Sequence, residues 1–244
     1  KLWDKSYGGN QPDHFSDMDQ TSDGGFILGG TSSSGISGNK TSPNYGLGDA
    51  WIVRVDALGN KLWDKSFGGT SHEGLSVVKE TADGGFIIGG VVQVPFGPFG
   101  ATRGDFWVVR LDAEGNQLWE AQFGGALDDS LSDAHQTADG GFVLGGWSIS
   151  SDIAIHGGAD YWLVRLDSSG NKLWDRSYGG SGSDYLRAMH IAANGDLLLA
   201  GQSSSDVSGI KTVPRFGYSS DFWLLRLDPE GNILWQSVYG GTSE

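Results

Sequence analysis

The chain has 244 residues, among them 41 Gly, 6 Pro, no Cys, 10 Trp, 11 Phe and 7 Tyr. That aromatic content excludes a disordered chain, and glycine at more than twice its usual share of roughly 7% points to many tight turns and away from a helical bundle. The formal charge of −14 is repelled by phosphate backbones and anionic membrane surfaces, so neither nucleic acid nor a membrane is an expected partner.

Without cysteine there is no disulfide, thiolate metal site or cysteine nucleophile. No apolar run approaches the about 18 residues of a membrane-crossing helix. The first recognisable element is Lys1-Leu2-Trp3-Asp4-Lys5-Ser6-Tyr7-Gly8-Gly9, and close copies begin at Lys61, Gln117, Lys172 and Ile233. The intervals are 60, 56, 55 and 61 residues. The length variation is confined to one stretch, from the Gly-Gly of Phe26-Ile27-Leu28-Gly29-Gly30 (and its copies) to the next Asp-x-Trp. These stretches are 18, 14, 13 and 19 residues, which leaves 42 residues in every repeat. A constant length with one elastic segment is the mark of a rigid unit carrying a surface loop.

Four strands are predicted per repeat, here called A to D. In the second repeat they are 75–81, 85–90, 105–112 and 116–124, short and rich in Val, Ile, Leu, Phe and Trp between Gly, Asp and Asn. Ala82-Asp83-Gly84 and Ala113-Glu114-Gly115 join them as antiparallel hairpins, with glycine at the positions that need φ > 0. No sustained 3.6-residue apolar period appears.

A four-stranded antiparallel sheet repeated in tandem predicts an all-β chain, a four-bladed β-propeller in one domain spanning 1–244. The blades run about 10–69, 70–125, 126–180 and 181–241, and 1–9 is an extra outer strand. That segment is expected to pair with strand C at 221–228 and to displace 233–239. A monomer is expected, with edge-strand pairing as the other possibility.

The repeat carries Asp105-Phe106-Trp107-Val108-Val109-Arg110-Leu111-Asp112-Ala113-Glu114-Gly115-Asn116-Gln117-Leu118-Trp119, and each unit has its counterpart. The fourth unit has Asn194-Gly195-Asp196 where the others have Asp-Gly-Gly. This pattern resembles the bacterial β-propeller repeats found in tandem in secreted and cell-surface proteins, and it covers the whole chain. The resemblance implies the propeller fold and an exported, extracellular or cell-surface bacterial protein. It implies no activity.

Nine of the ten tryptophans occupy repeat positions and read as packing between blades. Arg54, Arg110, Arg165 and Arg226 each precede an aspartate by two residues on the same strand face (Asp56, Asp112, Asp167, Asp228), which suggests a repeated charge-assisted pair. The tenth, Trp147, opens a variable loop. With Tyr45, Phe96, Phe99, Phe216 and Tyr218 it forms the predicted recognition surface, because antiparallel strands bring all four long loops to one end of the blades. A glycan or a protein side chain is the ligand such rings would take.

Each D–A connection carries an acid at the same place: Asp13, Glu73, Asp129 and Asp184. Hydrogen bonds from the preceding glycine-rich turn would satisfy them. A cation near the propeller axis is the other arrangement, and calcium fits a set of oxygen ligands. No HExxH, GxSxG or P-loop is present. The expected function is a non-catalytic extracellular binding or adhesion module using the loop-rich face. The alternatives are a polysaccharide-active enzyme with its site at the channel mouth, or a structural spacer.

Overall fold

The computed structural model describes residues 3–95 and 101–242. They form sixteen strands and no helix. The strands are grouped in chain order into four antiparallel four-stranded sheets. The first sheet is β1 (Asp13–Gln20), β2 (Phe26–Ser32), β3 (Asp49–Val55) and β4 (Lys61–Phe67). The second is β5 (Glu73–Glu80), β6 (Phe86–Pro95), β7 (Thr102–Leu111) and β8 (Gln117–Phe123). The third is β9 (Asp129–Gln136), β10 (Phe142–Ser148), β11 (Asp160–Leu166) and β12 (Lys172–Tyr178). The fourth is β13 (Asp184–Ile191), β14 (Leu197–Ser203), β15 (Asp221–Leu227) and β16 (Ile233–Tyr239). The chain divides into two compact units, one ending at Phe123 and one beginning at Gly124.

The A–B turns are built by their own side chains. Gly24 takes φ +85°, Thr21 Oγ1 donates to Asp23 Oδ1 at 2.7 Å, and Gly25 N donates to the same oxygen at 3.0 Å. The strand-C arginine closes this turn from across the sheet. Arg54 Nη2 donates to both oxygens of Asp23 at 2.7 Å, Arg110 reaches Asp83, Arg165 reaches Asp139, and Arg226 reaches Asp196. This corrects the expected pairing with Asp56, Asp112, Asp167 and Asp228. Those aspartates instead close their own C–D hairpins: Asp56 accepts from Asn60 N at 2.8 Å and from Asn60 Nδ2 at 2.9 Å, as Asp112, Asp167 and Asp228 do with Asn116, Asn171 and Asn232. A guanidinium is long enough to reach a neighbouring hairpin, whereas a short aspartate within reach of loop N–H groups is used there first.

Within each unit one sheet packs its strand A onto strand B of the sheet before it. Leu75 and Val78 of β5 enter at Gly29 of β2, where a Cβ would overlap Leu75 Cδ2 and lie 3.3 Å from Val78 Cγ1. In the second unit Leu186 and Met189 of β13 enter at Gly145 of β10, where a Cβ would lie 2.8 and 3.5 Å from them. The second glycine of each pair faces strand A of its own sheet. A bulge there pushes a carbonyl inward, so a Cβ on Gly30 would collide with His14 O. The first unit thereby buries Ile27, Ile52, Leu75, Val78, Phe86, Ile88, Trp107 and Val109 in one core. The second buries Tyr161, Leu163, Leu186, Met189, Leu199, Trp223 and Leu225 in another.

Residues 3–9 form no strand, and β16 pairs with β15, so the fourth sheet keeps its own outer strand. The expected displacement of 233–239 by the leading segment does not occur. Instead the segment lies along the first sheet. Trp3 packs edge-on to Phe26 at 6.5 Å, as Trp63 does to Phe86 at 6.0 Å. Tyr7 Oη donates to Gly59 O, as Tyr178 Oη does to Gly231 O. Residues 3–9 thus make the contacts that a preceding outer strand makes with the sheet that follows it.

Trp107 is 1% exposed and Leu62 is 56% exposed. Trp107→Ala is expected to cost about 3–5 kcal/mol in denaturant unfolding, as for a truncated core aromatic, and Leu62→Ala less than about 0.5 kcal/mol.

Candidate functional site

The D–A acids take their hydrogen bonds from the loops around them. Asp13 Oδ2 accepts from Gly9 N at 2.8 Å and from Ser34 Oγ at 3.2 Å. Asp129 Oδ2 accepts from Gly125 N and Ser150 Oγ at 2.7 and 3.1 Å, and Asp184 Oδ2 from Gly180 N and Ser205 Oγ at 2.8 and 2.7 Å. In the second repeat Val92 and Val94 stand where the others have serines, and the longer Glu73 accepts from Gly69 N at 3.1 Å. No group of three or more His, Asp or Glu among the described residues is arranged to hold a metal ion. Deeper acids on strand A also serve the backbone of the following sheet: Asp17 and Asp19 accept from Val78 N and Glu80 N, and Asp133 from Met189 N.

A second row of buried acids opens the C strands and fixes the long loops. Asp49 Oδ2 accepts from Tyr45 N at 2.5 Å, Asp160 Oδ2 from His156 N at 2.7 Å, and Asp221 Oδ2 from Phe216 N at 2.5 Å. The backbone N–H groups of Tyr45 and Phe216 are therefore anchored while the residues stand 54% and 47% exposed. Tyr218, on the same loop as Phe216, is 94% exposed. Phe96 and Phe99 lie outside the described residues.

Trp147 sits on β10, paired with Ser130 and Tyr161, one residue before the strand ends. It is not on the loop it was expected to open. Its ring meets Tyr185 of β13 edge-on at 5.3 Å, and the Arg187 guanidinium lies 5.6 Å from the Tyr185 ring centre. Tyr185 and Arg187 were missed in the sequence, although both depart from the repeat. Tyr185 stands where the others have His14, Gly74 and Ser130, and Arg187 where they have Ser16, Ser76 and Ser132. The second unit thus holds an aromatic–cation cluster on its sheets and two exposed rings on one loop, and the first unit presents Tyr45.

Burial raises the carboxyls of Asp49, Glu73 and Asp160. Asp49 and Glu73 flank Gly68, where a Cβ would meet Asp49 Oδ1 at 3.0 Å as well as Glu73 Oε2. Burial pushes both carboxyls above their ordinary values, and each also accepts one backbone N–H, which acts the other way. The Asp49 charge further raises Glu73. Asp160 is raised by burial too, against the His156 hydrogen bonds. Asp64 on β4 goes the opposite way. Burial opposes its ionisation, but hydrogen bonds from Lys61, Thr41 and Trp51 outweigh it and hold the carboxyl well below the usual range.

No family model matches the chain. It is similar to the regulatory protein FlaEY of Caulobacter vibrioides, at 25% identity over 183 residues. The match covers 67% of this chain and 19% of that protein, so the chain spans about a fifth of the relative's length.

Because the folded-state pKa of Glu73 is raised, its contribution to stability is fully present below the unfolded value and is lost as pH rises through the folded one. Glu73→Gln, neutral at every pH, is expected to melt above the wild type at pH 7 and level with it at pH 3. Melting midpoints across that range measure the difference. A chelator should leave the wild-type midpoint unchanged, since loop donors already hold Asp13, Glu73, Asp129 and Asp184.

Proposed function

We propose that the four sheets close into a β-propeller and that the protein is a non-catalytic, exported binding or adhesion module of a bacterium. The observation that carries the binding role is the contrast between fixed loop backbones and exposed rings. Tyr45 and Phe216 are latched by buried carboxylates at their backbone N–H groups, so the loops that carry the rings have less backbone entropy left to lose on binding. The departures from the repeat at Trp147, Tyr185 and Arg187 add an aromatic–cation cluster of the kind that holds a sugar ring or a protein side chain. Similarity to a bacterial regulatory protein fits recognition.

Closure is supported by two apolar surfaces. Phe15 and Met18 of β1 are 67% and 55% exposed, whereas their counterparts Leu75, Val78, Leu186 and Met189 are buried. On the fourth sheet Phe222 and Tyr239 are 66% and 58% exposed. Joining β1 to the Phe222 side of the fourth sheet would repeat the packing of strand A present inside each unit, while the place that Tyr239 would take on the first sheet is held by Tyr7.

Screening the whole chain on a glycan array and against surface proteins tests the binding role. Trp147→Ala and Tyr185→Ala should abolish the binding found and leave the melting midpoint within a few degrees. Phe15→Ala tests closure separately. It should destabilise by about 3–5 kcal/mol if the ring is closed, and by less than about 0.5 kcal/mol if Phe15 stays in water.

A further inference from the structure

The fourth sheet departs from the other three where a carboxylate is missing. Strand-C tryptophans donate their indole N–H to an acid on strand D: Trp51 to Asp64 at 3.0 Å, Trp107 to Glu120 at 2.6 Å and Trp162 to Asp175 at 3.2 Å. The corresponding residue of β16 is Gln236. Its Oε1 accepts from Thr212 N at 3.1 Å, as Asp64 Oδ2 accepts from Thr41 N at 2.9 Å, and its Nε2 donates to Ile210 O at 3.1 Å. The Trp223 indole N–H, on a side chain with no exposure, has no hydrogen-bond partner among the described residues.

A buried lysine beside this tryptophan has also lost most of the acceptors of its counterpart. Lys40 and Lys211 occupy the same place in the first and fourth long loops, and each is 1% exposed. Lys40 Nζ donates to Ser42 O and Oγ, Pro43 O and Ser66 Oγ, at 2.6–3.2 Å. In the fourth sheet Val213 and Val238 replace Ser42 and Ser66, and Lys211 Nζ donates to Ser205 O at 2.6 Å. Asp184, Asp206 and Asp221 act on Lys211 through space, and none forms an ion pair with it within 4.0 Å among the described residues. Nearby Arg215 adds a buried Nε without a hydrogen bond, 4.0 Å from Asp206 Oδ2. A buried donor left without an acceptor is costly, and so is a buried ammonium with fewer acceptors than it has N–H groups. An anion placed among them would recover that cost.

We propose that the fourth sheet holds a carboxylate-binding site, in which a ligand carboxylate is received between the Lys211 ammonium and the Trp223 indole N–H when the Gln236 amide swings aside. Lys211 Nζ lies 5.9 Å from the Trp223 ring centre, so the ammonium stands beside the indole whose N–H is unpartnered among the described residues. Asp64 is the internal version of this ligand. It accepts from the Trp51 indole, the backbone and hydroxyl of Thr41, the backbone and hydroxyl of Ser42, and Lys61. Entry would be past Gln236, from a surface depression that it lines with Val213, Pro214, Phe216, Ser237 and Tyr239. The buried donors belong to the fourth sheet alone, and the Trp223 signal reports on them directly, although the depression shares Phe216 with the exposed rings and Tyr239 with the surface proposed to close.

The test follows the assigned indole N–H resonance of Trp223 in the whole labelled chain, titrated at pH 7 with sodium acetate and, at matched ionic strength, with sodium chloride. A saturable shift with acetate alone is expected. Q236E, which supplies a carboxylate from within, should lose the acetate response. Q236A, which removes the amide from the space, should respond at lower acetate. Glucuronate and an N-acetylated dipeptide with a free C-terminus then separate a uronic acid from a peptide end as the source of the carboxylate. No saturable acetate shift in either the wild type or Q236A would overturn the proposal, as would an equal response to chloride or an undiminished response in Q236E.

Discussion

Gly29 and Gly145 set the distance between neighbouring sheets. Each gives up a side chain so that two side chains from the next strand A can enter. Burying a leucine or methionine in this way contributes roughly 1.5–3 kcal/mol per side chain, against about 0.5–1 kcal/mol lost by placing glycine in a strand. The exchange favours glycine, and it fixes much else. The entering strand must be bulged to present both side chains, the bulge drives its carbonyl onto the second glycine, and the sheet length between the two is then set. A repeat of constant length follows from this packing, while the long loop lies outside it and varies.

The acidic composition has a structural use. A glycine-rich chain without helices leaves many turn N–H groups needing acceptors. Aspartate is the shortest anionic acceptor, and it serves in three repeated places. Asp23, Asp83 and Asp139 close the A–B turns under a buried arginine, Asp56 and its counterparts close the C–D hairpins, and Asp13, Asp129 and Asp184 hold the D–A connections. Hydrogen bonds hold the turn and hairpin carboxyls low, so these contacts persist well below neutral pH. The fully buried row at Asp49 and Asp160 is different, since desolvation there exceeds what one or two donors return.

The strands and hairpins were legible in the sequence, because each depends on neighbours a few residues apart and the repeat shows them four times over. The arginine partner was not. Same-face logic follows Cβ positions along a strand, and Arg54 acts at the end of a long side chain against the opposite hairpin. The place of Trp147 was misjudged because a strand can continue past its glycine pair without any change in composition, as β10 does. Tyr185 and Arg187 were legible in principle, as replacements of small residues on a strand whose other positions matched. What could not be read was which of the departures meet in space, since that depends on how far one sheet is rotated over the next.

The leading segment has a wider consequence. Residues 3–9 reproduce on the first sheet the contacts of Trp63 on the second and of Tyr178 on the fourth. The joint inside each unit, and the one that residues 3–9 make with the first sheet, are therefore variations on one design. Unequal recombination between two copies of the gene, in steps of a single repeat, would join compatible surfaces at such a joint. Lineages carrying such a gene could lengthen or shorten the array in one event, without first evolving a new interface.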